Sequence, residues 1–380
     1  MDTNTSNRTY FAGLFQQKKR PKKGLLAFLY TSAAMMFSQE NIEFDFVTNK
    51  RLVAKAKARE GAYTKNGTEV FTNKTQTPPL YKEERPYNVD NFRKRTAGTT
   101  IYNDAEVKAI VMDKTASDLA DLSDKMDRSI ILQFAYVLQT GIIPFKTKKL
   151  SENGILSDLD YECPVAHFAG PVTVWSDVDS KPLTDLEARS IVVQKACGEA
   201  PDTVIFGVTA FQNFLATTQV KNQLDNRKIN KGVVGPKNLS IGGEAGKSMD
   251  RDGMDYLGYY IINGKKCGFY SYVDYYLDPQ DDTTELSYID ADNIVMLSSN
   301  ARYGLYYAGI NKIVDTPADM KDFLPDSRIT VIGTTQASQQ FASTVVDVDS
   351  NTVKLRLESA PLVVPIDYNS FGKMDTSTAA

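Results

Sequence analysis

The sequence predicts an α+β protein, and three patterns along the chain support this class. Residues 104–140 carry apolar side chains at helical spacing, which is typical of one long amphipathic helix. Residues 42–46 alternate apolar and acidic side chains, as on a half-buried strand, and shorter strand patterns follow residue 203. Two helical patterns, at 183–197 and 210–222, lie next to those later strand patterns in the sequence. A chain of 380 residues with these elements forms two domains, or one domain with long excursions.

The run 104–140 is the strongest helix pattern in the sequence. Asn103 and Glu106 read as a capping pair at its start, while Gly141 and Pro144 end it. An unbroken helix of this length is about 55 Å long at about 1.5 Å per residue. Few compact domains can cover such a helix with their own core. We therefore expect it to act as a beam with other elements laid across it.

Residues 48–86 indicate a highly charged hairpin. Lys50–Arg59 alternates cations with small or apolar residues, Asn66-Gly67 is a two-residue turn signal, and Pro78-Pro79 with Pro86 closes the segment. With so little apolar content, the hairpin cannot bury much of itself. It would be ordered only against something else, such as another subunit, and a mobile surface loop is the alternative.

The later part of the chain is predicted to be strand-rich. Tyrosine-rich residues 256–276 suit a hairpin with its turn at Asn263-Gly264, and strands are expected at 293–297 and 302–309. Two more strands are expected within 345–365, before a short polar tail.

Charge is distributed unevenly although its sum is only −3. Residues 1–100 carry 18 Lys/Arg against 9 Asp/Glu, a net +9, which leaves 26 against 38, a net −12, for residues 101–380. A basic leading segment on an acidic body suggests contact with a polyanion or an acidic partner, or else a solvated arm. The apolar run 24–37 after the basic cluster resembles a signal core, but no clear cleavage site follows it and it is too short to span a bilayer. We expect a cytosolic, soluble protein with no membrane partner.

Cysteine and histidine content leaves little room for metal or triad chemistry. Cys163, Cys197 and Cys267 are far apart, which argues against a disulfide framework. The one histidine, His167, stands beside Val165 and Phe168 and is expected to be a packed residue. A hydrolase that uses His167 as its base is the alternative from the enzyme class.

Three other motifs are weak. The stretch 241–248 ends in Gly-Lys-Ser like a phosphate-binding loop, but the position that needs the first glycine is Ile241. Acidic stretches at 175–180 and 278–285 offer oxygen ligands for Ca²⁺ without EF-hand spacing, and such turns are usually solvated. The 20 tyrosines could line a carbohydrate-binding or base-stacking surface, although packing between strands and subunits is the preferred interpretation. We expect no catalytic residues, no cofactor and no metal.

Several short segments, taken in order, resemble the lambda-type major capsid proteins of tailed bacteriophages. Residues 358–362 read ESAPL and are followed by an acidic, aromatic stretch at 367–371, similar to the family's closing QSAPL…DPDEF pattern. Residues 293–309 follow the order of the family's TMVLG…QARGL pattern. Residues 203–227 begin with TVIF and end near LDNR, and Gly246-Lys247 falls where the family has a Gly-Lys in a loop. Together these segments cover roughly residues 25–371.

The resemblance implies the Hong Kong 97 capsid fold, with an N-terminal arm, an extended loop, a peripheral domain with a long spine helix, and an axial domain. Carried onto this chain, the parts are the arm at 1–47, the extended loop hairpin at 48–86, the peripheral domain at 87–182 with its spine helix at 104–140, the axial domain at 183–320, a return to the peripheral domain at 321–372 and a tail at 373–380. The segment 327–351 is longer than the resemblance leads us to expect, which suggests an insertion.

The function that the resemblance implies is that of a non-enzymatic major capsid protein. It would assemble with itself as pentamers and hexamers into an icosahedral head shell around double-stranded DNA, in the host cytoplasm. Portal, scaffold and decoration proteins are the further partners. Expected inter-subunit contacts are Lys50, Arg51, Lys55, Lys57 and Arg59. Expected scaffold or DNA contacts are Lys18, Lys19, Arg20, Lys22 and Lys23. An encapsulin-like protein compartment of the same fold is the alternative within this class, and a monomeric carbohydrate-binding module is a third.

Overall fold

A computed structural model describes residues 25, 35–37, 39–47, 71–88, 104–144, 158–225, 232–234, 254–299, 301–310, 339–347 and 352–379. The helices within these residues are α1 (Asp104–Thr140), α2 (Pro182–Cys197), α3 (Val208–Ala216) and α4 (Thr218–Asp225), with a short 3-10 helix at Val165–Phe168. The strands are β1 (Met35–Met36), β2 (Ile42–Val47), β3 (Phe71–Gln76), β4 (Tyr81–Asn88), β5 (Ile142–Ile143), β6 (Leu159–Asp160), β7 (Pro201–Phe206), β8 (Gly232–Val234), β9 (Met254–Ile262), β10 (Lys265–Tyr272), β11 (Tyr275–Leu277), β12 (Glu285–Ser287), β13 (Asn293–Ser298), β14 (Tyr303–Tyr307), β15 (Phe341–Asp347), β16 (Thr352–Ser359), β17 (Pro361–Pro365) and β18 (Phe371–Asp375).

Helix α1 has the bounds that its sequence pattern predicts, and its 37 residues are about 55 Å long. It ends at Gly141, which has a φ of +69° and donates its backbone N–H to the Val137 carbonyl oxygen at 3.0 Å. A side chain at residue 141 would also meet the Cys163 sulfur at 2.9 Å. Glycine is therefore required here both for the left-handed turn and for space.

Two separate apolar clusters contact α1, one at its middle and one along its C-terminal part. At the middle, Leu119, Leu122 and Met126 pack against the sheet β15-β16-β4, where Leu355 and Leu357 face them. Towards the C-terminal end, the helix enters the largest core of the molecule, which includes the sheet β1-β14-β17. The helix is thus a beam that joins two sheets, as its length predicts.

A six-stranded sheet, in the order β18-β13-β7-β10-β9-β8, separates that large core from a second one. Along β13 the side chains alternate between the two, with Val295 and Leu297 in the core of α1 and Ile294 and Met296 in the core under α2, α3 and α4. Every residue of β13 is buried, because both faces of this strand are covered. The hairpin β9-β10 turns at Asn263-Gly264, as predicted, with φ angles of +48° and +81°.

Strand β4 is the first difference from the sequence-based expectations. Pro86 was expected to close the charged hairpin, but it lies inside β4 and opposite Lys354 of β16. Strand β4 is the edge of its sheet, and proline, which has no N–H to donate, is tolerated there.

Two other expectations also differ from the structure. The single helix expected at 210–222 is two helices, because Thr217 is extended and the next N–H, of Thr218, bonds to the Val178 carbonyl oxygen at 3.1 Å. The tail expected from residue 373 is ordered up to Thr376, because β18 pairs with β13 and the Thr376 N–H donates to the Asp292 carbonyl oxygen. Because β18 pairs with a strand about 80 residues earlier in the chain, the sequence around residue 373 gives no local sign of this pairing.

Candidate assembly surfaces

The predicted contact residues lie outside the described residues. This holds for Lys50, Arg51, Lys55, Lys57 and Arg59, and equally for Lys18, Lys19, Arg20, Lys22 and Lys23. The structure does describe the two ends of the segment that carries the first group. Strands β2 and β3 pair antiparallel, with Val47 opposite Phe71, so the 23 residues 48–70 leave and return at adjacent points. This segment carries six Lys/Arg against two Asp/Glu, a net +4.

An ion-pair and hydrogen-bond network fixes β4 on α1. The buried carboxylate of Asp118 accepts hydrogen bonds from the Arg85 guanidinium and, at 2.5 Å, from the Tyr87 hydroxyl. Burial and the Asp118 carboxylate raise the pKa of Tyr87, so its hydroxyl keeps its proton. Lys125 extends the network with an ion pair to Glu83 at 3.0 Å. The sheet that follows the charged segment is thereby held in one position on the beam.

Two buried glutamines attach α1 to the rest of the molecule. Gln133 donates to the Pro361 carbonyl oxygen and accepts the Val363 N–H, both at 3.2 Å, which fixes β17. Gln139 donates to the Tyr288 carbonyl oxygen and accepts N–H groups from Asp290 and Asn293. These residues are not among the contact residues that the sequence predicts, although an amide among apolar helix positions is a signal of this role.

His167 has the packed environment that the sequence indicates. Its side chain is 1% exposed, and its Nδ1 donates to the Phe371 carbonyl oxygen at 2.7 Å. Burial lowers the pKa of His167 below its usual value. Nearby, Arg189 of α2 donates to the carbonyl oxygens of Ala166 and Ala169 and so fixes the 3-10 helix around the histidine. A histidine enclosed in this way has no access to a dissolved substrate.

The acidic turns and the tyrosines are the other candidate binding residues. Within the described ranges, no group of three His, Cys, Asp or Glu side chains is arranged to hold a metal ion. Many tyrosines pack in the core, such as Tyr288, whose ring lies 4.9 Å from that of Tyr276.

No helix in the described part of the chain is long and apolar enough to cross a bilayer.

Two surfaces expose apolar side chains on well-anchored backbone. Val165, 86% exposed, lies on the 3-10 helix that Arg189 fixes, and Val172, 83% exposed, follows that helix. Tyr275 and Leu277 are 56% and 51% exposed on the hairpin β11-β12. These two surfaces are the candidates for contact with another molecule.

The beam helix and its two attached sheets form a fold of the phage capsid type. A solved structure of the putative capsid protein of a prophage from E. coli CFT073 superposes with a TM-score of 0.63 at 15% identity, over 99% of each chain. The cyanophage A-1(L) capsid asymmetric unit matches with a TM-score of 0.43 at 14% identity, over 95% of each chain. The mature capsid of bacteriophage PhiM1 matches with a TM-score of 0.40 at 10% identity, over 92% of this chain and 88% of that one.

The model of the family described as phage major capsid protein E matches residues 13–375, and the chain belongs to this family. None of the curated protein sequences compared with the chain matches it. Membership confirms the resemblance to phage head proteins that the sequence segments indicate. The chain is thus a structural protein of the virion, from a family that forms multimeric capsid shells.

Proposed function

We propose that this chain is the major head subunit of a tailed bacteriophage. It assembles as pentamers and hexamers into an icosahedral shell that encloses the double-stranded DNA genome. Portal, scaffold and decoration proteins are its further partners, and assembly takes place in the host cytoplasm. Its role is structural, and its function lies in its interfaces rather than in a catalytic site.

One feature supports this proposal most strongly: a stiff frame from which a basic segment departs. Helix α1 is attached to one sheet at its middle and to another along its C-terminal part, and the net +4 segment 48–70 begins and ends at the paired strands β2 and β3. We assign 48–86 as the extended loop, whose last residues return to α1 as the start of β4, with 87–182 as the peripheral domain and 183–320 as the axial domain, to which β18 adds an edge strand. In this arrangement Lys50, Arg51, Lys55, Lys57 and Arg59 contact acidic surface on a neighbouring subunit.

The basic cluster Lys18–Lys23 is assigned to the inner surface of the shell. Five cations within six residues suit phosphate groups or an acidic scaffold protein. Contact with DNA at this cluster would be independent of base sequence and would weaken steeply with salt.

The contents of particles test the tailed-phage role. Particles recovered from a culture that propagates the genome encoding this chain are treated with nuclease, opened, and examined for nucleic acid and protein. Protected double-stranded DNA of uniform length is the expected result. Particles without DNA that enclose a folded cargo protein would instead indicate an encapsulin-like compartment.

A further inference from the structure

The hairpin β11-β12 has one anchored face and one open face. On the anchored face, the Tyr276 ring packs on Tyr288, and its hydroxyl lies 3.5 Å from that of Tyr136 on α1. Cross-strand pairing places Tyr275 opposite Ser287 and Leu277 opposite Glu285 on the other face. Tyr275 and Leu277 are more than half exposed there. We refer to residues 273–287 as the acidic hairpin.

The charged side chains of the acidic hairpin are all negative. It contains five carboxylates and no cation, and the sequence has no Lys, Arg or His between Lys266 and Arg302. The turn at its tip is well defined, because the Asp281 carboxylate accepts the N–H groups of Thr283 and Thr284 together with the Thr284 hydroxyl. These hydrogen bonds hold the pKa of Asp281 well below its usual value, so its charge persists at any physiological pH. The acidic hairpin therefore combines exposed apolar side chains on its open face with a strongly negative charge.

The complementary pattern lies at 50–59 of the same sequence. That stretch carries the cations Lys50, Arg51, Lys55, Lys57 and Arg59, with only leucine, valine and alanine between them. Its five positive charges equal the five negative charges of the acidic hairpin, and its small apolar residues suit contact with Tyr275 and Leu277. The cluster Lys18–Lys23 is a poorer match, because proline is the one uncharged residue within it.

We propose that the acidic hairpin of one subunit is the docking surface for residues 50–59 of a second copy of the chain. This inference rests on the proposed function, since it identifies the acidic surface that the basic segment contacts on its neighbour. The contact is of the head-to-tail kind, in which each subunit uses its segment on one neighbour and its hairpin on the other. Such contacts close into rings when the rotation between subunits allows it.

The first test neutralises the hairpin without changing its shape. The variant Asp278→Asn, Asp282→Asn, Glu285→Gln keeps hydrogen-bonding capacity at each position and removes three charges. The protein concentration at which particles appear in light scattering is expected to rise about tenfold, since exposed ion pairs are individually weak but act together. A matched control, Asp177→Asn, Asp179→Asn, Glu187→Gln, removes the same charge elsewhere and should leave the threshold unchanged. Equal thresholds for the hairpin variant and this control would overturn the proposal.

The second test asks whether the contact joins two copies. The segment variant Lys55→Glu, Lys57→Glu, Arg59→Glu and the hairpin variant Asp278→Lys, Asp282→Lys, Glu285→Lys are each expected to lose assembly alone. An equimolar mixture should form oligomers that contain both variants, with an even number of subunits in each ring, because opposite charges then meet at contacts between alternating subunits; a ring of five cannot alternate in this way. Assembly of one chain carrying all six changes, with no mixed oligomers in the mixture, would place the contact within a single chain and overturn the proposal. If the unaltered chain forms no particles under any condition, the proposed function itself fails.

Discussion

The side-chain amide of Gln139 donates a hydrogen bond to the Tyr288 carbonyl oxygen at 2.8 Å and joins the last turn of α1 to the segment before β13. The amide oxygen of the same residue accepts the Asp290 N–H at 3.0 Å and the Asn293 side-chain N–H at 2.8 Å. One buried side chain thus fixes the end of the beam helix against the central sheet.

Replacing Gln139 by leucine should therefore destabilise the subunit strongly. The change leaves one buried carbonyl and two N–H groups without their partner, which costs about 2–4 kcal/mol of unfolding free energy. Urea unfolding of the unassembled subunit measures this loss. The control Ser129→Ala removes an exposed hydroxyl from the same helix and should cost less than about 0.5 kcal/mol. Equal effects would show that Gln139 does not carry the attachment.

The two aspartates that face Arg85 should differ in their effect on stability. Asp118 is buried and accepts hydrogen bonds from both Arg85 and Tyr87, whereas Asp121 is exposed and lies 3.4 Å from the guanidinium. Asp118→Asn should lower the unfolding free energy by about 1–3 kcal/mol, and Asp121→Asn by less than about 1 kcal/mol. Thermal unfolding at low and high salt checks both values. A larger loss for Asp121→Asn would contradict the described network.

Stability should fall as pH drops below about 6.5, the usual pKa of an unfolded histidine. Burial lowers the pKa of His167 in the folded subunit, so the unfolded chain takes up the proton first. The slope from this group is at most about 1.4 kcal/mol per pH unit and ends once pH passes below the folded pKa. His167→Gln should remove this part of the pH dependence between pH 5 and 7. An NMR titration of the single histidine that gave a pKa above 6.5 would refute the prediction.

The three cysteines should react with iodoacetamide in a fixed order. Burial raises the pKa of the Cys163 thiol to about 12 and that of the Cys267 thiol to about 11, so neither forms much thiolate at pH 8. Cys197 is partly exposed at the end of α2 and should be alkylated first. Peptide mass spectrometry after short exposure checks the order, and all three should react in urea. Early labelling of Cys267 would indicate that the central sheet opens.

The parts of the fold that could be predicted are those with local signals. The sequence of α1 carries an apolar stripe, a capping pattern and a glycine at its end, and the turn Asn263-Gly264 directly specifies a hairpin. Strand β4 could not be recognised, because its proline is acceptable only at a sheet edge, and edge position depends on the rest of the chain. The extended Thr217 and the pairing of β18 with β13 likewise depend on distant residues.

The candidate surfaces divide in a similar way. The basic segment 50–59 is visible in the sequence as charge, while its proposed partner surface is not. Tyr275 and Leu277 look like ordinary strand residues until cross-strand pairing and burial show that their face is open. Gln133 and Gln139 were recognisable in principle, since amides at apolar helix positions need buried partners.

Electron cryomicroscopy of the purified chain, produced with and without the genes beside it, tests the central claim most directly. We expect closed icosahedral shells built of fivefold and sixfold capsomers, with α1 running across each subunit and residues 50–59 lying on a neighbour. A chain that stays monomeric at every protein and salt concentration, even when produced together with those neighbouring genes, would contradict the account.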